Sequence, residues 1–147
     1  IGWGEFGDKD AKLFFDLAKQ YPIRIFSNLS NSDKLKHLAR SSFYLQASYE
    51  EGLGLAAIEA LGLGLPLICS ETSGAAEYVT NEENGYLVPE SSSFCEEFAK
   101  KVLSVRNMNY EKLAAGSLQI HDRKFTFERS RSGLMELVQA RNVGDSL

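Results

Sequence analysis

The sequence predicts an α/β fold built on a doubly wound parallel sheet. Short apolar runs that suit strands alternate with amphipathic stretches that suit helices along most of the 147 residues, the pattern of a sheet with helical crossovers. One run, residues 65–69, is apolar throughout, as expected of a strand covered on both faces. Glycines and polar residues collect where the runs end, the edge at which such sheets hold ligands.

Taken in order, residues 1–3 read as the end of a strand, and Gly2-x-Gly4-x-x-Gly7 as the turn after it. A chain that opens at the end of a strand is expected to be the later part of a longer protein. Residues 8–20 predict a helix with Asp8 as N-cap and Leu13, Phe14 and Leu17 as its apolar stripe, and Tyr21-Pro22 ends it. Residues 23–26 predict a strand and 27–31 a polar loop. A helix starting at Ser32 or Asp33 turns Leu35 and Leu38 inward, and residues 43–47 form the next strand. The loop 48–53 leads to a helix beginning near Gly54, for which Gly62-Leu63-Gly64 is the stop. After the strand 65–69 come a short helix over 74–79, a turn at Asn84-Gly85 and a strand over 86–88 closed by Pro89. Ser91 or Ser92 caps a helix to about 105. Helices over 110–121 and 126–141 complete a domain of residues 1–141, incomplete at its start, and 142–147 read as a frayed tail.

Composition narrows the class. A hydrophobic fraction of 44% and a charged fraction of 24% are ordinary for one globular domain. The net charge is −4, and the one mild basic cluster, Arg123, Lys124, Arg129 and Arg131, reads as a solvated helix face. No nucleic-acid footprint is present. Cys69 and Cys95 form neither a disulfide framework nor a metal-ligand spacing, which predicts a reducing, cytoplasmic compartment. His37 and His121 are too far apart in sequence for a zinc site, and His37 is expected on an exposed polar face. The apolar stretch 52–69 is interrupted by Glu59, by glycines and by Pro66, so it does not read as a bilayer helix.

Two constellations carry chemistry. Gly2-x-Gly4-x-x-Gly7 matches the dinucleotide fingerprint as a string, but the following strand ends at Phe26-Ser27-Asn28 without the acid that would hold a ribose. It reads as a tight strand–helix turn, with Trp3 in the core. The second is Glu51-Gly52-Leu53-Gly54 with Glu59 after it. Glu59 is the only charge between Gly52 and Cys69, and an ionised carboxylate among Leu, Ile and Ala needs partners. Gly52 and Gly54 let a ligand approach the main chain, and the helix that follows offers free N–H groups and a positive dipole end to an anion. A carboxylate at Glu59 can accept hydrogen bonds from both hydroxyls of a ribose diol. The alternative is a buried acid paired with a Lys or Arg.

These residues carry a family resemblance. The run from Glu51 through Glu59 to Ile68 resembles the E-x7-E motif of retaining glycosyltransferases of the GT-B fold, and more narrowly the family 4 form E-G-F-G-L-x-x-x-E-A-M-A-x-G-x-P-V-V. Ser70-x-x-Ser73-Gly74-x-x-Glu77-Tyr78-Val79 resembles S-x-x-G-G-x-x-E-V-V. Asn84-Gly85-Tyr86-Leu87-Val88-Pro89 resembles N-G-x-L-V-P, and Phe125-Thr126-Phe127-Glu128 resembles F-S-W-E. Upstream, Ile1-Gly2-Trp3-Gly4 is similar to a V-G-x-G strand end.

The resemblance implies a Rossmann-like C-terminal half of a GT-B fold that binds a nucleoside diphosphate sugar and transfers its hexosyl group to an acceptor hydroxyl. It implies that Glu51 contacts the donor sugar near the reacting carbon and is the catalytic residue. Glu59 holds the ribose hydroxyls. The backbone of Gly52, Leu53, Gly54 and Leu55 meets sugar and diphosphate, that near Leu29 meets the base, and Gly2 and Gly4 line the nucleotide edge. It implies no metal or other cofactor, because helix amides and a basic pair upstream of this chain would hold the diphosphate. The implied partners are the donor, an acceptor that is a glycan, a lipid-linked sugar or a small molecule, and an N-terminal acceptor domain. That absent part would make any contact with the inner membrane surface. Leu53 and Ser73 stand where the family has Phe and Gly. Another GT-B enzyme such as a sugar-nucleotide epimerase, or a degenerate module that only binds nucleotide, remains the alternative.

Overall fold

The computed structural model of the protein describes residues 16, 19–24, 26, 28–49, 52–128 and 132. The chain divides into two compact units, residues 1–37 and 38–147.

In the first unit Asp16, Lys19 and Gln20 are helical. The rest of the helix predicted over 8–20, with the Gly2–Gly7 turn, lies outside the described residues. Ile23, Arg24 and Phe26, expected in a strand, are not in one. The Ile23 N–H donates to the Tyr21 carbonyl at 2.7 Å, a local turn bond that removes it from any ladder. A run this short becomes a strand only where a neighbouring edge accepts it. Helix α1, Asn31–Leu38, begins slightly before the predicted start because Ser30 caps it. The Asp33 N–H donates to Ser30 Oγ at 3.1 Å, and Ser30 Oγ donates back to Asp33 Oδ2 at 2.7 Å, a reciprocal cap. Lys36 Nζ lies 2.8 Å from Asp33 Oδ1. The Lys36 and Ser30 hydrogen bonds hold the exposed Asp33 carboxyl below its ordinary range. His37 corrects an expectation: it is half-buried, with its ring 4.1 Å from that of Phe26, because an imidazole packs well on an aromatic face.

The second unit runs β1 (Tyr44–Gln46), α2 (Leu55–Gly62), β2 (Leu67–Ser70), a 3₁₀ turn over Gly74–Tyr78, β3 (Gly85–Val88), α3 (Phe94–Leu103), a 3₁₀ turn over Ser104–Asn107 and α4 (Tyr110–Lys124). The strands are parallel in the order β1-β2-β3, with Leu45 opposite Ile68 and Ile68 opposite Tyr86. All four residues of β2 are buried, as the apolar run required. Ile68 packs with Val88 and Phe94, supported by Phe43, Phe98, Val102 and Val105. Helix α2 packs on β1 and β2 and against α4.

Several boundaries moved, three of them for evident local reasons. Leu65, expected to open β2, closes the preceding helix instead, its N–H donating to Ala60 O at 2.9 Å. Gly85, expected in the turn, is the first residue of β3 and runs so close to the Leu67 carbonyl that a side chain there would collide with it. The turn is set by Asn84, fully buried, whose Oδ1 accepts from Thr80 N at 2.7 Å and whose Nδ2 donates to Tyr78 O at 2.9 Å. Helix α3 begins after Ser93 rather than at Ser91 or Ser92, because both Ser91 and Ser93 hydroxyls reach forward to Glu97 Oε1, at 3.2 and 2.6 Å. It ends at Leu103 in a 3₁₀ turn. Helix α4 starts at Tyr110 as expected, capped by Asn109, which accepts from Lys112 N at 3.1 Å, and runs to Lys124, past the predicted 121. Phe127, Glu128 and Ser132 are helical and Thr126 is not. The remainder of the helix predicted over 126–141, and the tail 142–147, lie outside the described residues.

Candidate functional site

The loop 48–54 leaves the carboxyl end of β1, and the segment 71–75 leaves the carboxyl end of β2. The fold brings these two segments together through side-chain hydroxyls. Ser70 Oγ donates to the Ser48 carbonyl, as does Thr72 Oγ1 at 3.3 Å. The Tyr78 hydroxyl donates to the Leu53 carbonyl at 2.7 Å and lies 3.2 Å from that of Gly54. The carbonyls of Ser48, Leu53 and Gly54 therefore turn toward the 70–78 segment. A shallow depression at this edge, lined by Ser48, Tyr49, Ser70, Thr72, Glu90 and Phe94, leaves no room for a water molecule.

Gly54 is the N-cap of α2 and has φ 65° and ψ 57°, a left-handed conformation that favours glycine. Its carbonyl accepts the Ala57 N–H at 2.9 Å and the Ile58 N–H at 3.2 Å. The amides of Leu55 and Ala56, at the first two helical positions, have no partner within the helix. Leu53 and Leu55 are exposed, Leu55 by 69%, unusual for leucines that flank a buried glycine. Glu59 sits in the middle of α2, half-buried, with Oε2 fully shielded from solvent. No acidic side chain lies in the first turn of α2, so the positive end of its dipole is not offset there.

Of the predicted site residues, Gly52, Leu53, Gly54, Leu55 and Glu59 come together on one loop and one helix. Leu29 is half-buried in the first unit, after Asn28, whose φ is +54°. Glu51, Gly2 and Gly4 lie outside the described residues. Glu77 is exposed, and its backbone carbonyl accepts from Lys124 Nζ at 3.0 Å. Sequence reasoning missed Ser70, Thr72 and Tyr78. The available signal was Tyr78 itself, an aromatic hydroxyl where the resembled motif has valine. Among the described residues no three His, Cys, Asp or Glu side chains converge as a metal cluster, and no helix is long and apolar enough to cross a membrane. An open hollow of about 380 Å³ on α4, between Lys112 and Arg123, contains none of the predicted site residues.

A glycine-capped helix at a strand's carboxyl end, with a half-buried acid in its middle, is the arrangement expected from the resemblance. The sequence profile of the glycosyl transferases group 1 matches residues 4–116. The chain belongs to that family. Its relatives in this glycosyltransferase group include a probable sucrose-phosphate synthase of Thermosipho melanesiensis, 36% identical over 104 residues, 71% of this chain and 23% of the relative. Another is the GtfA subunit of a UDP-N-acetylglucosamine–peptide N-acetylglucosaminyltransferase of Streptococcus pneumoniae, 38% identical over 92 residues, 58% of this chain and 18% of the relative. The chain thus spans less than a quarter of either. Among solved structures, the pneumococcal O-GlcNAc transferase GtfA in complex with UDP and GlcNAc is 27% identical, with a TM-score of 0.74 over 90% of this chain and 27% of that one. The sucrose-phosphate synthase of Thermosynechococcus elongatus, at 19% identity and TM-score 0.71 over 92% of this chain and 35% of that one, shares the fold. The glycosyltransferase domain is accordingly α/β and Rossmann-like, as predicted.

Proposed function

We propose that this chain forms the donor-binding side of a retaining, family 4 type glycosyltransferase, and that the full-length protein moves a hexosyl group from a nucleoside diphosphate sugar to an acceptor hydroxyl. The observation that carries the reading is helix α2, which opens at the carboxyl end of β1 with uncommitted amides and holds Glu59 one turn further on. Glu59 would accept the two ribose hydroxyls, a pairing of anion and neutral donors that is stronger than neutral hydrogen bonds. The N–H groups from Gly52 to Leu55 would meet sugar and diphosphate, and the helix dipole favours negative charge there. Glu51 would contact the sugar near the reacting carbon. Leu29, Gly2 and Gly4 would serve the base and the nucleotide edge.

Departure of the nucleoside diphosphate leaves charge on phosphate oxygens, and donors fixed in advance stabilise that charge without a metal ion. The acceptor, and the domain that binds it, would come from outside this chain. The same reading sets the protein in the cytoplasm. Support comes from membership of the glycosyltransferase group and from likeness to a relative solved with UDP and GlcNAc.

The test uses the full-length protein. Calorimetry with uridine, guanosine and adenosine diphosphates is expected to show one binding far better than the others, and the matching nucleotide sugar to release free nucleoside diphosphate only when an acceptor is supplied. Glu51→Ala is expected to abolish transfer while leaving nucleoside diphosphate binding in place. Absence of binding by all three diphosphates sinks the reading.

A further inference from the structure

Where the resembled motif has valine, this chain has Tyr78, and the hydroxyl that valine lacks is in use. Tyr78 is 4% exposed. Its ring stands edge-on to Phe125, centroids 5.1 Å apart and planes at 81°, so the hydroxyl is held from behind. It donates to the Leu53 carbonyl at 2.7 Å and stands 3.2 Å from the Gly54 carbonyl. These carbonyls belong to the two peptide units immediately before α2. A trans peptide is planar, with its N–H directed opposite to its C=O. Fixing the carbonyls of Leu53 and Gly54 therefore fixes the N–H groups of Gly54 and Leu55, and directs them away from Tyr78.

We propose that Tyr78 is a positioning residue that aims the Gly54 and Leu55 amides at the diphosphate of the donor. The inference rests on the donor-binding reading of α2 given above. Left-handed backbone at Gly54 is a conformation with many alternatives open to glycine. A hydroxyl anchored in the core removes those alternatives before the ligand arrives, so less ordering remains to be done on binding.

The experiment compares the full-length wild-type protein with Y78F by calorimetry, using the nucleoside diphosphate that the wild type binds best and the matching nucleoside without phosphates. Loss of one neutral hydrogen bond that orients the site is expected to weaken diphosphate binding about fivefold. Nucleoside affinity is expected to stay within twofold, because a nucleoside carries neither the diphosphate nor the donor sugar that these amides would meet. Unchanged diphosphate affinity, or equal loss for both ligands, overturns the role of Tyr78 and leaves the donor reading standing. A wild type that binds none of the diphosphates removes the donor reading and this inference with it. Should Y78F fail to fold, amide hydrogen exchange on the wild type decides. Protection at Gly54 and Leu55 is expected on adding the diphosphate, and protection gained only elsewhere overturns the proposal.

Discussion

The hydroxyl of Tyr78 lies 2.7 Å from the carbonyl oxygen of Leu53, a residue 25 positions earlier in the chain. With the Ser70 and Thr72 bonds to the Ser48 carbonyl, that bond joins the segment leaving β2 to the loop leaving β1. It places the start of α2 under the control of a residue buried in the domain.

Glu59 is the first residue to test. Removing its carboxylate with Glu59→Ala is expected to weaken binding of the preferred nucleoside diphosphate by about 10- to 100-fold, the loss of hydrogen bonds to a charged acceptor. Titration calorimetry on the full-length protein gives the number. Retention of wild-type affinity shows that the half-buried acid serves the fold and not the ribose.

Gly54→Ala tests the backbone beneath the site. Alanine at φ 65° meets left-handed strain, and its Cβ would stand 3.0 Å from the Tyr78 hydroxyl. A destabilisation of about 1–2 kcal/mol is expected from the backbone alone, with loss of diphosphate binding. Urea denaturation and calorimetry measure the two effects, and a variant as stable as wild type contradicts the assigned conformation.

Gly85→Ala is expected to act on stability alone. A methyl group there runs into the Leu67 carbonyl across the β2–β3 ladder, and because the colliding atoms are backbone, no flexible side chain can yield. The cost is expected to reach about 3 kcal/mol, read as a lower denaturation midpoint with an unchanged slope.

The cap of α1 gives a pH prediction. Lys36 and Ser30 lower the pKa of Asp33 in the folded chain. A depressed carboxyl stabilises the fold at pH values above its ordinary range, and that contribution disappears as pH falls through the lower folded value. The stability difference between wild type and Asp33→Asn is therefore expected at neutral pH and to shrink to nothing in strong acid. A difference that grows on acidification reverses the sign and refutes the cap.

Local chemistry alone disclosed a good deal. The parallel sheet was legible because the run at 65–69 has no polar face to give to water, and β2 is buried in full. Helix α2 and its end could be placed from Gly54 and Gly62-Leu63-Gly64, whose backbone demands act within a few residues. Glu51 to Glu59 stood out because a charge among apolar neighbours requires a reason. Long-range pairing was not legible. Ile23 and Phe26 have strand-like side chains but take no strand, since a ladder needs a partner that propensity cannot supply. Nothing near Tyr78 announces that its hydroxyl reaches Leu53, or that Ser70 and Thr72 share the Ser48 carbonyl. Those bonds exist because parallel pairing of β1 with β2 brings their carboxyl ends side by side. Nearest-neighbour preferences therefore identify most of the elements and the acid proposed for the site, while contacts across the sheet orient the main chain that would receive the ligand.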